Sequence, residues 1–378
     1  MDETLRTPLF NVHEAAGARM VDFAGWSMPM LYGSILAEHQ ATRTDAAVFD
    51  VSHMGRLQIR GDRAFRLLDR ACTADVLAQE DNTIRYGLLC NAAGGVIDDI
   101  MIIRLPDEWH VICNASNRRK VLAHLQRLNE DEGFHADLTD RTIATAMLAV
   151  QGPRALAKLE GVLPAEVGRL ARHQVDAGAH MMIPYIASRC GYTGEDGLEV
   201  ILPAAVASQA WTFLTAESGV TPAGLGARDL LRLEAGLPLY GHELNETIDP
   251  ITAGLERAVR QREGFIGYEA IRAIREKGTP RTLVGLRLET NRIARQGAVV
   301  LADGSEIGVV TSGTFSPSCR ASIALAFVDR ARAAVDTPVR VRLRADHEVD
   351  GRVVRRPFYR GSAQARPKPS TDTKPGDA

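Results

Sequence analysis

Apolar and polar residues alternate in short runs along the first hundred positions, and glycines and polar turns break the runs. Val48–Val51 and Leu57–Arg60 read as strands flanking a Ser52-His53-Met54-Gly55 turn, and Ala64–Arg70 as a helix. Arg85–Asn91 and Val96–Leu105 read as two strands around the Ala92–Gly95 corner, which predicts a hairpin. Trp109–Cys113 adds a strand, and Val121, Leu122, Leu125 and Leu128 give Asn117–Asn129 a helical period. Ile143–Val150 is an apolar strand, and Pro153 suits the first turn of a helix after it. The turn GYTGEDG leads into the strand LEVIL, and two helices are expected over Ala204–Ala216 and Ala227–Ala235. Gly236, Pro238 and Gly241 end that pattern.

The pattern changes after Gly278. From Leu283 onward the chain reads as strands alone, with Asp303-Gly304 as a hairpin signal between apolar runs. This predicts a C-terminal β domain of roughly 80 residues. From Gly361 the chain is rich in Pro, Lys, Ser and Asp, the composition of a disordered tail.

At 378 residues the chain is too long for one ordinary core. A formal net charge of -2 gives no broad electrostatic case for nucleic acid. No apolar run approaches the ~18 residues of a membrane span, and the acidic N-terminus is not a secretory signal. A cytoplasmic location is expected. The five cysteines form no C-x-x-C pair, and their number is odd, which argues against a zinc knuckle or a disulfide framework. No nucleotide-binding glycine motif and no zinc signature occurs, so neither a dinucleotide nor a metal is implied.

Several residues can carry chemistry. Asp98 and Asp99 stand inside the apolar strand VIDDIMII, where neighbours point to opposite faces, so one carboxylate is aimed inward. Both can equally be edge carboxylates of a hairpin. Glu199 begins a strand and is held rigidly, which suits an amidine-like edge with two N–H donors. Tyr192 can stack on a ring or simply pack. Arg228 and Arg232 lie one helical turn apart; they form a solvated face paired with Asp229 and Glu234, or Arg228 meets a ring oxygen or carboxylate. His53 reads as structural, with no nucleophile motif to pair with it. Arg352, Arg355, Arg356 and Arg360 form a basic cluster, either a protected edge strand or a docking surface for an acidic carrier or a polyglutamate tail.

Taken in order, TPLF, VDFAGWSMPM, FDVSHMG, GGVIDDI, VICNASN, AVQGP, RCGYTGEDGLEV, GARDLLRLEAGLPLYGHEL, IGVVTSGTFSPS and RRPF resemble the glycine cleavage T-protein family from about Thr7 to Phe358. The resemblance implies an α+β fold of three domains around a central folate cavity. Two antiparallel α+β domains would be interleaved in sequence, residues 1–55 with 140–215 and residues 56–139 with 216–278. A distorted β-barrel over 279–360 and a disordered tail over 361–378 would follow. It implies transfer of a one-carbon unit from the aminomethyl-loaded lipoyl arm of an H-protein to tetrahydrofolate, within the glycine cleavage system. The products are 5,10-methylene-tetrahydrofolate, ammonia and the dihydrolipoyl carrier. Positioning of two bound partners is worth up to roughly 7–11 kcal/mol in such chemistry.

By family position, Asp99 is the catalytic carboxylate, orienting the folate nitrogens, moving protons and stabilising a developing cation. Glu199 grips the pterin edge, and Arg228 is a second folate contact. Met54, Tyr86, Leu88, Asn114 and Tyr192 line the cavity, and Asp98 faces away. Arg257 takes the place of an aromatic residue common in relatives, and RRPFYRGS lacks an aromatic tail seen in some of them. A folate-dependent demethylase of a small S-, O- or N-methyl compound is the alternative that Arg257 keeps open. A non-catalytic folate-binding maturation protein is the other, but such proteins carry K-G-C-Y-x-G-Q-E, whereas this chain reads RCGYTGE.

Overall fold

The computed structural model describes residues 4–344 and 347–364. Two sheets make the body, antiparallel throughout except for the edge strand Thr221–Pro222, which runs parallel to Ala47–Asp50. The five-stranded sheet runs Thr83–Cys90, Val96–Arg104, Trp109–Cys113, Gly55–Arg60, Asp137–Asp140. One face of it is covered by the helices Ala64–Ala71 and Arg118–Asp131, whose Leu67, Leu68, Val121 and Leu125 bury against Leu57, Ile100, Ile102 and Val111. The six-stranded sheet runs Val175–His180, Ile183–Ser188, Gly197–Pro203, Thr145–Gln151, Ala47–Asp50, Thr221–Pro222. The strands of the two sheets are interleaved along the chain, as an α+β fold of this type requires.

The uncovered faces meet each other. Ile84, Ile103 and Ile112 of the first sheet pack with Phe49, Met147, Ala149 and Ile201 of the second, and the helix Leu225–Glu234 adds Ala227 and Leu231. Strand alternation then sorts the side chains. Along Val96–Arg104, Ile100 and Ile102 enter the helix-covered core, while Met101 and Ile103 enter the space between the sheets. Along Gly197–Pro203, Leu198, Val200 and Leu202 bury outward and Ile201 inward. Asp99 and Glu199 share the parity of the inward residues.

The C-terminal strands close into a six-stranded barrel, Arg281–Leu288, Ala321–Asp329, Ser305–Ser316, Val299–Ala302, Pro338–Arg344, His347–Val354. The Asp303-Gly304 corner has both residues at positive φ (50° and 77°), the turn a two-residue hairpin favours. The barrel's outer residues Leu283, Ile323, Leu325 and Phe327 pack on Leu233 of the Leu225–Glu234 helix. Buried ion pairs lock the same joint. Arg232 bonds Glu243 (3.2 Å) and the barrel's Ser312 (2.9 Å), and Glu234 bonds Arg43 (2.7 Å) and His39 (2.9 Å).

Two expected elements differ in detail. The helix over Ala204–Ala216 is three pieces: a 3-10 turn Ala204–Val206, an α segment Ala207–Thr212 and a π turn Phe213–Glu217. The widened last turn keeps Leu214 buried beside Trp211 while the chain swings toward Val220. Ser362 donates to Glu195 (2.6 Å) and receives the Asp196 N–H (2.9 Å), so Gly361 and Ser362 pack on the GYTGEDG turn. Residues 365–378 of the expected tail lie outside the described residues.

Candidate active site

The space between the sheets holds the charged residues that the sequence singles out. Asp99 comes from the five-stranded sheet, directly opposite Leu88 in register, and Tyr86 is opposite Met101 on the same face. The Tyr86 hydroxyl donates to Asp99 Oδ2 at 3.2 Å, and the Asn114 amide donates to Asp99 Oδ1 at 2.7 Å. Leu88 is fully buried behind them, with Met54 half-buried in the inter-sheet core. Asp98 points the other way, beneath the start of the Arg118–Asp131 helix, and is fully buried. It accepts from the Asn114 amide (2.9 Å), the Asn114 backbone N–H (3.0 Å) and the Asn117 amide (2.6 Å). Burial and the charge of Asp99 push Asp98 up to about 7, and burial raises Asp99 as well. Burial, with Asp99 beside it, holds the Tyr86 phenol well above its ordinary range, so it acts as a neutral donor.

The opposite wall is built from the six-stranded sheet and the Leu225–Glu234 helix. Glu199 lies across from Ala149 and Ser188, and the Cys190 thiol donates to its Oε2 at 3.2 Å. The turn that brings Cys190 and Tyr192 there needs Gly191, because a Cβ would fall 1.8 Å from Gln151 Oε1. Arg228 sits with its guanidinium 4.8 Å from the Tyr192 ring centre. Tyr192 in turn donates its hydroxyl to the Pro238 carbonyl. Arg228 Nη1 is buried with no hydrogen-bond partner. Burial lowers the Arg228 guanidinium, and the Glu199 charge opposes that shift. Tyr192 lies in the field of both Asp99 and Arg228 and links the two walls.

A buried guanidinium with an open N–H, a rigid carboxylate and an aromatic face form a donor–acceptor edge fit for a flat heterocycle such as a pterin. Asp99, across the gap, is a carboxylate able to exchange a proton and to favour a nearby cation.

The two readings of the Arg228–Arg232 face separate here. Arg232 is structural, bonded to Asp229 (2.8 Å) and Glu243, while Arg228 finds no carboxylate within bonding distance among the described residues. Glu234, one of the expected ion partners, is taken by Arg43 and His39 instead. Glu195 is also structural, paired with Arg43 at 2.7 Å. His53 is buried, and burial together with the Arg228 charge pushes it down to about 3, so it stays a neutral packing residue. Arg257 is exposed on the 3-10 turn Glu256–Ala258. That turn is tied to the site's floor, since Thr73 donates to Ala258 O (2.8 Å) and receives the Leu88 N–H (3.0 Å). The basic cluster does not form one surface: Arg356 packs under Gly254 and reaches the Leu283 carbonyl (3.3 Å), while Arg352, Arg355 and Arg360 are exposed. Asn117 and Cys190 were not legible as site residues. Each acts only by touching a carboxylate that is distant in sequence.

An interleaved α+β body with a closed C-terminal barrel, enclosing acids and a guanidinium between its sheets, defines a class of group-transfer enzyme. The GCVT N-terminal domain matches residues 9–263, and the glycine cleavage T-protein C-terminal barrel domain matches residues 281–360. An aminomethyltransferase of Rubrobacter xylanophilus is 44% identical over 94% of each chain. One of Moorella thermoacetica is 43% identical over 95% of this chain and 99% of its own. The crystal structure of glycine cleavage system aminomethyltransferase T from Bartonella henselae superposes with a TM-score of 0.89 at 34% identity, covering 95% of this chain and 99% of that one. The chain belongs to the glycine cleavage T-protein family and is an enzyme of the aminomethyltransferase class.

Proposed function

We propose that the chain takes the aminomethyl carbon from the lipoyl arm of an H-protein and delivers it to tetrahydrofolate, giving 5,10-methylene-tetrahydrofolate. The C–S bond breaks to leave the dihydrolipoyl thiol, ammonia departs, and the two folate N–H protons end on the sulfur and the amine. The observation that carries this reading is the buried, unpartnered Arg228 Nη1 beside Glu199 and Tyr192, facing the Asp99 wall. An unsatisfied buried guanidinium costs free energy unless a ligand completes it. A pterin supplies the ring oxygen for Arg228 and the amidine edge for Glu199, and Tyr192 packs against it. Its reacting nitrogens then face Asp99, which Tyr86 and Asn114 hold in one orientation. Met54 and Leu88 close the apolar walls, so water is kept from the reacting carbon. Asp99 passes a proton to the departing amine and its charge field favours the cation that develops on carbon. Arg257, exposed on the turn tied to the floor behind Leu88, takes no direct part in the chemistry. The enzyme would work with the other glycine cleavage components in the cytoplasm.

The test is formation of 5,10-methylene-tetrahydrofolate from tetrahydrofolate and aminomethyl-loaded H-protein, with ammonia followed in parallel. Stoichiometric release of both supports the proposal. Demethylation of a free small methyl compound, with no reaction from the carrier, would replace it with a folate-dependent demethylase. Folate binding with no turnover on either donor would leave a binding protein.

A further inference from the structure

The Glu199 carboxylate has one side-chain hydrogen-bond donor among the described residues, and it is a thiol. Cys190 Sγ–H donates to Glu199 Oε2 at 3.2 Å. Glu199 and Arg228 act on each other through space, but Arg228 Nη1 is unpartnered, so no bond from that nitrogen fixes the carboxylate. A glutamate side chain has several rotatable bonds and takes its orientation from what touches it.

The thiol is itself held in place. Cys190 packs on the core between the sheets. Its backbone N–H donates to the Ser188 carbonyl, and its own carbonyl accepts the Gln151 side-chain amide, both at 3.0 Å. Gln151 is fully buried, and its Oε1 accepts the Thr193 hydroxyl at 2.9 Å. One glutamine therefore braces the turn on both sides of Gly191, where a Cβ would collide with it. Burial, with the Glu199 charge beside it, holds the thiol well above its ordinary range, so it stays an S–H donor and does not become a thiolate that repels the carboxylate. Sulfur is also a weak donor. It orients the carboxylate and leaves the remaining lone pairs to accept from a ligand.

We propose that Cys190 is a positioning residue for folate binding: its thiol, braced from behind by Gln151, fixes the Glu199 carboxylate in the orientation that receives the two N–H donors of the pterin edge. The inference rests on the pterin grip proposed above for Glu199. Cys190 acts through Glu199, and no bond is made or broken at its sulfur. A carboxylate already oriented has less freedom to lose when the ligand arrives, so the thiol contributes to affinity.

Titration calorimetry of the whole chain with tetrahydrofolate, in the absence of H-protein, tests this. Cys190→Ala removes the donor and should weaken binding roughly 3–10-fold, the range for one lost hydrogen bond. Cys190→Ser returns a donor to nearly the same place and should bring affinity back to within about twofold of wild type. In a Glu199→Ala background, Cys190→Ala should add no further loss, because the group it positions is gone. Equal losses for Ala and Ser, an Ala variant that binds like wild type, or the same proportional loss in both backgrounds would each overturn the proposal. The two readings separate cleanly. Weakened binding in Glu199→Ala with none in Cys190→Ala sinks this inference and leaves the grip, whereas undiminished binding in Glu199→Ala sinks both.

Discussion

Glu199→Gln isolates the proposed grip on the pterin edge. The substitution keeps the shape of the side chain and removes its charge, on a strand fixed between Thr145–Gln151 and Ile183–Ser188. Two losses add. The ligand loses a charge-assisted hydrogen bond, worth about 1.5–3 kcal/mol. Arg228, already desolvated, loses the carboxylate that compensates its burial. At about 1.4 kcal/mol per factor of ten, the first loss alone weakens tetrahydrofolate binding roughly 10–100-fold. Titration calorimetry at fixed salt reads this directly. The second loss appears without ligand, as a lower melting temperature that Arg228→Met should partly restore in the double variant, since an apolar side chain needs no partner. Binding should not recover in that double variant. Folate affinity within about twofold of wild type, less than ~0.5 kcal/mol, would refute the clamp.

Four further outcomes follow. Asp99→Asn should keep the fold and most folate binding while losing most single-turnover transfer; near-normal turnover would remove Asp99 from the chemistry. Gly191→Ala places a Cβ 1.8 Å from Gln151 Oε1 and should cost about 1–3 kcal/mol in denaturant titration, with folate affinity reduced because Tyr192 and Cys190 move. Burial raises Glu234, but the His39 hydrogen bond and the Arg43 charge outweigh it and push it down to about 2. Its contribution to stability is therefore complete above the unfolded value of 4.5 and is lost as pH falls toward 2, and Glu234→Gln should flatten the acid unfolding curve in that window. Arg257→Ala should leave the unfolding free energy within about 0.5 kcal/mol of wild type in denaturant titration, as an exposed substitution does. A large loss of stability would show that the side chain is built into the fold.

The amino-acid sequence by itself determined most of the strands and the switch to a C-terminal β domain, while the interleaved α+β order was what the family resemblance implied. The strands and the switch come from local periodicity and from turn residues such as Asp303-Gly304, and they need no partner distant in the chain. It also marked Asp99, Glu199 and Arg228, through a strand interrupted by two acids, a glycine-bounded turn and a long motif shared with relatives. Period-two alternation says that Asp98 and Asp99 face opposite ways, but not which way. The tertiary structure decided that, because the Arg118–Asp131 helix covers the face of Asp98 and leaves Asp99 toward the second sheet. Arg228 and Arg232 share one helical face and one residue type. Only the fold separates them, by bringing Glu243 and Ser312 to one and leaving the Nη1 of the other buried with no hydrogen-bond partner. The same holds for Cys190 on Glu199 and for Asn114 between two carboxylates. Hydrogen-bond partners and desolvation are set by residues far apart in sequence, and a one-dimensional pattern carries neither.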